Sequence, residues 1–143
     1  MNVKSILDAK GRAVATIDPD ATLAAAAHLL AEMRIGAVVV TGAGHSVAGI
    51  LSERDIVRSL SDHGAKALDR SVADTMTRKV ITCGEQDSLS QLMESMTDGK
   101  FRHLPVVEGG RLVGIISIGD VVKRRLAEIE REHNALKEYV TNA

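Results

Sequence analysis

Gly49-Ile50-Leu51-Ser52-Glu53-Arg54-Asp55-Ile56-Val57 returns later in the chain as Gly114-Ile115-Ile116-Ser117-Ile118-Gly119-Asp120-Val121-Val122. Gly, Ile, Ser, Asp and the closing Val coincide, and an internal duplication constrains architecture before any single motif is read. Working outward, Ala37-Val38-Val39-Val40 matches His103-Leu104-Pro105-Val106, and Thr22-Leu23 matches Ser88-Leu89. Val3-Lys4-Ser5-Ile6-Leu7 resembles Val72-Ala73-Asp74-Thr75-Met76. The offset between copies falls from 69 through 66 to 65, so only small loop deletions separate them.

Each copy carries the same pattern of elements. A short strand, at about 14–17 and again at 80–82, leads to a helix opened by Thr22 or Ser88, both good N-caps. Apolar residues recur there at helical spacing: Leu23, Ala26, Ala27, Leu30 and Met33, then Leu89, Leu92, Met93 and Met96. Two apolar strands follow in each copy, joined by turns at Thr41-Gly42-Ala43-Gly44 and Glu108-Gly109-Gly110. A second helix starts at Ser52 or Ser117. The expectation is an α/β (α+β) fold of two β-α-β-β-α repeats, residues 1–67 and 68–127, connected around Asp62-His63-Gly64-Ala65-Lys66. The last helix continues past its repeat as a 128–143 extension, with Val122, Leu126, Ile129, His133, Leu136 and Val140 at alternating spacings of four and three.

Composition narrows the function. Eighteen basic residues against 19 acidic ones leave a net charge of −1, so no overall field draws in nucleic acid or a membrane surface. Phe101 and Tyr139 are the sole aromatics, which removes a stacking platform for single strands and requires any bound base to lie between aliphatic side chains. One cysteine, Cys83, forms no internal bridge and suits a reducing compartment; it reads as a small buried hydrophobe. There is no apolar run near the ~20 residues that span a bilayer, and no signal-like N-terminus, so a cytoplasmic location is expected. The five histidines have no metal-ligand spacing, and no Walker loop, dinucleotide fingerprint or base–nucleophile pair appears. A metal site and an enzymatic role are therefore not expected.

The repeated Gly-apolar-apolar-Ser-x-x-Asp segment, with Arg102-His103-Leu104-Pro105-Val106-Val107 before its second occurrence, resembles the cystathionine-β-synthase (CBS) domain. Two in tandem are similar to a Bateman module, and the resemblance runs from about residue 3 to 126. It implies a pseudo-twofold pair with two clefts, each able to hold an adenosine-containing ligand: AMP, ADP, ATP, S-adenosylmethionine or a dinucleotide such as NAD(H). It assigns Ser52, Asp55, Ser117 and Asp120 to the ribose, and Thr16, Ile17, Ile81 and Thr82 to the surroundings of the base. The strand entrances Ala37-Val38 and Leu104-Pro105 line the site, and Arg102 and His103 reach the phosphates. The first copy departs from the pattern, with Gly36 and Ala37 in place of Arg102 and His103, and Val39 in place of Pro105. It carries Arg54 where the second copy has Gly119.

The chemistry fits the residue types. One carboxylate accepts a hydrogen bond from each hydroxyl of a ribose diol, and charge-assisted bonds are among the stronger available. The first helical turn adds free backbone N–H groups. Ser52-x-x-Asp55 and Ser117-x-x-Asp120 read equally as capping boxes, and the two roles are compatible. Lys10-Gly11-Arg12 reads as a solvated loop or an additional phosphate contact, and Lys123-Arg124-Arg125 as a wet helix face. The expected function is a regulatory nucleotide-sensing module that forms a homodimer and acts on an effector protein whose identity the sequence does not supply. The alternative is a ligand-independent dimerisation scaffold.

Overall fold

The computed structural model of the chain describes residues 1–99 and 101–142. In order, the elements are α1 (Val3–Lys10), β1 (Thr16–Ile17), α2 (Leu23–Met33), β2 (Ala37–Thr41), β3 (Val47–Ser52), α3 (Glu53–His63), α4 (Val72–Thr75), α5 (Leu89–Gly99), β4 (His103–Glu108), β5 (Arg111–Ser117) and α6 (Ile118–Asn142). The caps are those the sequence predicts. Thr22 accepts from the Ala25 N–H at 3.2 Å, and Ser88 and Gln91 close a reciprocal box at 3.1 and 2.8 Å.

The duplication is visible in the sheets. β1 runs parallel to β2 with Ile17 opposite Val40, and β2 pairs antiparallel with β3. In the second copy β4 pairs antiparallel with β5, and both hairpins carry an irregularity at equivalent places, Val40/Thr41 and Val106/Val107. The predicted strand at 80–82 is not formed. Cys83 alone makes a parallel bridge to Val106, donating to the Pro105 carbonyl at 3.0 Å and accepting from the Val107 N–H at 2.8 Å. The first strand of the second copy is thus reduced to one residue. Burial pushes the Cys83 thiol up to about 12, reinforced by Asp87 and Glu108, which keeps it protonated and inert.

The two hydrophobic cores do not follow the chain order. Val3, Ile6 and Leu7 of α1 are buried with Leu89, Leu92, Leu104, Val106 and Ile116 of the second copy. Val72 and Met76, at and just beyond α4, are buried with Leu23, Leu30, Val38, Leu51 and Ile56 of the first. The leading helices are exchanged, each docking on the other repeat. Asn2 bridges Ser88, and Thr22 bridges Ser71, tying each exchanged segment to the start of the helix it meets.

The shared glycine of the motif makes this exchange possible. A Cβ at Gly114 would lie 2.8 Å from a Leu7 methyl, and one at Gly49 would lie 2.7 Å from the Met76 sulfur and the Thr77 carbonyl. Only a residue without a side chain admits the helix so close to the strand. Apolar spacing predicted the buried faces of α2 and α5, though Met33 and Met93 at their margins stay exposed.

Candidate functional site

The end of β3, the first turn of α3 and the start of β2 form one wall of a cleft of about 350 Å³. Backbone hydrogen bonds hold these parts together. Ala37 is paired with Ser52 across the β2–β3 ladder, and the Glu53 N–H donates to the Gly36 carbonyl at 2.9 Å. The second copy repeats the arrangement, with His103 opposite Ser117 and the Ile118 N–H on the Arg102 carbonyl at 2.8 Å. The Arg102-His103 entrance closes the far side of the same cleft, and the segment Thr77 to Ile81 forms its floor.

Ser52 and Asp55 form a capping box that uses only part of the carboxylate. The Ser52 N–H and hydroxyl donate to Asp55 Oδ2 at 2.9 and 3.1 Å, while the Asp55 N–H donates to Ser52 Oγ at 3.2 Å. The box therefore occupies one carboxylate oxygen. Among the described residues Oδ1 has only an ion pair with Arg58 Nη1 at 3.8 Å, beyond hydrogen-bond range, although the Asp55 residue is just 8% exposed. A partly buried carboxylate oxygen without a donor, on the wall of a cleft, is suited to accept hydroxyls.

The cleft gathers Ala37, Ser52, Arg54, Asp55, Ile81, Arg102 and His103 from the residues the sequence singled out. It does not gather Val38, Leu104 or Pro105. Side chains alternate along a strand, so Ala37 and His103 face the cleft, while Val38 and Leu104 enter the two cores. Pro105 is buried in β4. Thr16 and Ile17 lie on β1, against Val39 and Val40, and Ile17 packs on the first core. Thr82 is exposed outside the lining, because the segment around it does not form the predicted strand.

Sequence reasoning missed Thr77, Lys79 and Val80. Lys79 stands at the repeat position of Lys10, and that equivalence was the signal available for it. Arg54, Lys79 and Arg102 are exposed, so among the described residues three permanent cations and the His103 imidazole share the lining with the carboxylates of Asp55 and Glu53. Gly36, the repeat counterpart of Arg102, also lines the cleft, and a Cβ there would meet nothing closer than the Glu53 carboxylate at 3.9 Å.

The pseudo-equivalent corner of the second copy is filled by the chain itself. Lys10 Nζ donates to Asp120 Oδ2 at 2.7 Å and to the Ile115 carbonyl at 2.9 Å. Asp120 Oδ2 also accepts from the Ser117 N–H at 2.9 Å. Burial raises the Asp120 carboxyl, but the Lys10 ammonium and the Ser117 contacts outweigh it and bring its pKa below the ordinary value. The local cause is helix length. α4 ends at Thr75, and Thr77 then bridges Ile50, its N–H on the Ile50 carbonyl at 2.8 Å. With that carbonyl satisfied by backbone, Lys79 is left in the open cleft. α1 instead runs to Lys10, supported by Asp8 paired with Lys4 at 3.0 Å and with Arg12 at 2.7 Å, and stops at Gly11 with φ +100°. The Ile115 carbonyl then takes the Lys10 ammonium. The expected solvated loop at 10–12 is therefore a helix end, a lysine lock and an arginine bridging Asp8 and Glu85.

His103 lies between these two environments. Burial lowers its pKa; Asp120 opposes this, and Lys10 and Arg102 add to it, so the net direction is below the ordinary imidazole value. Among the described residues, no group of His, Cys, Asp and Glu is placed to hold a metal ion, and no helix is long and apolar enough to cross a membrane.

Comparison with known proteins places this geometry. The family model described as the CBS domain matches residues 3–62 and 72–127. The crystal structure of a CBS-domain containing protein from Agrobacterium tumefaciens is 52% identical, covers 87% of this chain and 92% of its own, and superposes with a TM-score of 0.82. A CBS domain protein from Pyrobaculum aerophilum complexed with AMP is 28% identical over 84% of this chain and 89% of its own, with a TM-score of 0.75. A mitochondrial CBS domain-containing protein of Arabidopsis thaliana, CBSX3, is 34% identical over 125 residues, 85% of this chain. The chain spans 61% of that relative's length.

Proposed function

We propose that this chain, which belongs to the CBS domain family, is a regulatory module that binds one adenine nucleotide in the cleft between Ser52-Asp55 and Arg102-His103. The observation that carries this reading is the Asp55 carboxylate in the cleft lining, with one oxygen held by its capping box and the other without a hydrogen-bond donor among the described residues, beside Arg54, Lys79 and Arg102 in the same lining. The AMP complex of the Pyrobaculum relative supports the ligand class. In this reading Asp55 Oδ1 accepts from the ribose diol, and Ala37, Val80 and Ile81 enclose the base together with Phe101, an aromatic in the lining that corrects the expectation of purely aliphatic surroundings. Arg102, Lys79 and Arg54 then meet the phosphates, as charge-assisted donors to anionic oxygen. AMP is the first ligand to test, with ADP, ATP, NAD(H) and S-adenosylmethionine as its competitors.

A ligand shifts a conformational equilibrium only by its differential affinity for the two states. The cleft is lined from both repeats, so occupancy acts on their relative placement, and a cytoplasmic homodimer passes that change to an effector protein. The Lys10–Asp120 contact favours a second reading for one half of the molecule: there the fold serves as scaffold, with its ligand corner closed.

Calorimetry with AMP tests both statements. The parent chain is expected to bind one equivalent. Lys10→Met keeps the aliphatic stem and removes the ammonium, and is expected to add a second event. Absence of heat with any of the five ligands leaves the scaffold reading. Two equal events in the parent would exclude the lock.

The pH dependence has a definite sign. Free His103 titrates below the usual imidazole range, and a phosphate beside it raises that pKa, so binding takes up a proton. Affinity is expected to rise as pH falls from the bound pKa to the lower free one, then to level off. The nucleotide's own phosphate titrates near pH ~6 in every variant. The difference between the parent and His103→Gln therefore isolates the residue, and identical profiles would remove His103 from the phosphate contacts.

A further inference from the structure

We propose that the projecting part of α6 is an interface with a second copy of this chain, the two helices running parallel and in register as a two-stranded coiled coil. The proposal rests on the homodimer reading above and is independent of nucleotide binding. Only Val121 of α6 is buried, and every described residue from Arg131 onward is exposed. This stretch of helix leaves its own fold, and isolated helices of fewer than ~12–15 residues are marginal in water.

The exposed apolar residues form one seam. Val122, Leu126, Ile129, Leu136 and Val140 are between 46% and 67% exposed, with His133 filling the gap in their register. Alternating spacings of four and three make Leu126, His133 and Val140 one set of core positions, and Val122, Ile129 and Leu136 the other. A repeat of 3.5 residues is what a partner helix of the same kind fits.

Charge decides what covers the seam, and in which direction. The flanking residues are Lys123, Glu130 and Lys137 on one side, with Arg125, Glu132 and Tyr139 on the other. In a parallel pair each flanking residue meets the opposite flank five positions on. Arg125 then faces the partner's Glu130, and Glu132 faces the partner's Lys137, each contact occurring twice by symmetry. An antiparallel pair that covers the whole seam sets Val122 against the partner's Val140. It then brings Lys123 to the partner's Lys137, Glu130 to the partner's Glu130 and Glu132 to the partner's Glu132. Every charged pair on the seam is opposite in the parallel arrangement, and these three are like in the other. Within its own helix Arg125 contacts Glu128 at 3.1 Å, which it shares or leaves on pairing. His133 faces the partner's His133 in the parallel pair, and a single matched polar layer fixes register, since a slip by one heptad sets imidazole against aliphatic side chains.

Cysteine cross-linking of the full chain tests orientation. Val140→Cys places two thiols face to face in a parallel pair and about 27 Å apart in the antiparallel one. The parent, whose Cys83 is buried, is the control. Mild oxidation is expected to convert Val140→Cys to a covalent dimer. Mixing Val122→Cys with Val140→Cys chains is expected to give no mixed product, and a mixed product alone overturns the parallel assignment. A mass of twice 15.2 kDa by light scattering with neither cross-link overturns the α6 interface while the homodimer stands; a mass of 15.2 kDa overturns both. Glu130→Arg with Glu132→Arg is expected to weaken the dimer on the order of tenfold. Adding Arg125→Glu and Lys137→Glu is expected to restore it, and failure of that rescue also counts against the pairing.

Discussion

Leu7→Ala is expected to destabilise the second repeat, not the first in which Leu7 lies by sequence. Leu7 is fully buried among Leu89, Leu104 and Ile116, pressed against the backbone at Gly114. Truncating a core leucine costs about 2–5 kcal/mol through lost transfer energy and the residual cavity. A domain's entire margin is about 5–15 kcal/mol, so the thermal midpoint should fall by roughly 5–20 °C. Hydrogen exchange identifies where the loss falls. Amides of β4 and β5 should lose protection, while those of β2 and β3 stay protected at equal distance below the midpoint. Met76→Ala is the reciprocal case, loosening the first repeat, because Met76 is buried with Leu23, Leu51 and Ile56. If Leu7→Ala instead exposes β2 and β3 first, the helices are not exchanged in solution.

Asp55→Ala should abolish most nucleotide affinity, whereas Asp120→Ala should leave it nearly unchanged. The two residues stand in identical motifs, so the contrast isolates tertiary surroundings from sequence. Hydrogen bonds to a charged group contribute about 1.5–3 kcal/mol, a loss of roughly 10- to 150-fold in affinity. Asp120 lies outside the lining of the open cleft and carries the Lys10 ammonium on its Oδ2, so its removal takes nothing from that cleft. Asp55→Asn separates charge from capping, since an amide oxygen still accepts the Ser52 N–H. It should remain folded and lose most of the same affinity. Equal losses at Asp55 and Asp120 would mean that the second corner opens in solution and that Lys10 does not hold it shut.

Much of this molecule was legible from local chemistry. Thr22, Ser52, Ser88 and Ser117 each begin a helix because their side chains satisfy N–H groups three residues on, a relation written within four residues of sequence. Apolar periodicity found the buried faces of α2 and α5, and the duplication fixed two copies of one plan. The capping boxes were visible, and with them the candidate ribose carboxylates. Strand propensity alone was not enough at residues 80–82, whose side chains are strand-forming but where only the adjoining Cys83 finds a partner, since a strand exists only by pairing.

The sequence by itself thus determined the repeat, its helices and hairpins, the family resemblance and the identity of the Ser-x-x-Asp groups. Tertiary structure alone decided which copy each leading helix serves, that Arg102 and His103 close the cleft of Asp55, and that Lys10 covers Asp120 while its repeat counterpart Lys79 stays free. The physical reason is range. Caps and periodicities act between residues a few positions apart. The Lys10 contacts join groups 105 and 110 positions apart, and depend on α1 outlasting α4 by enough residues to leave the Ile115 carbonyl open. Two identical motifs receive different surroundings once the chain has packed: Asp55 lines an open cleft, and Asp120 pairs with Lys10.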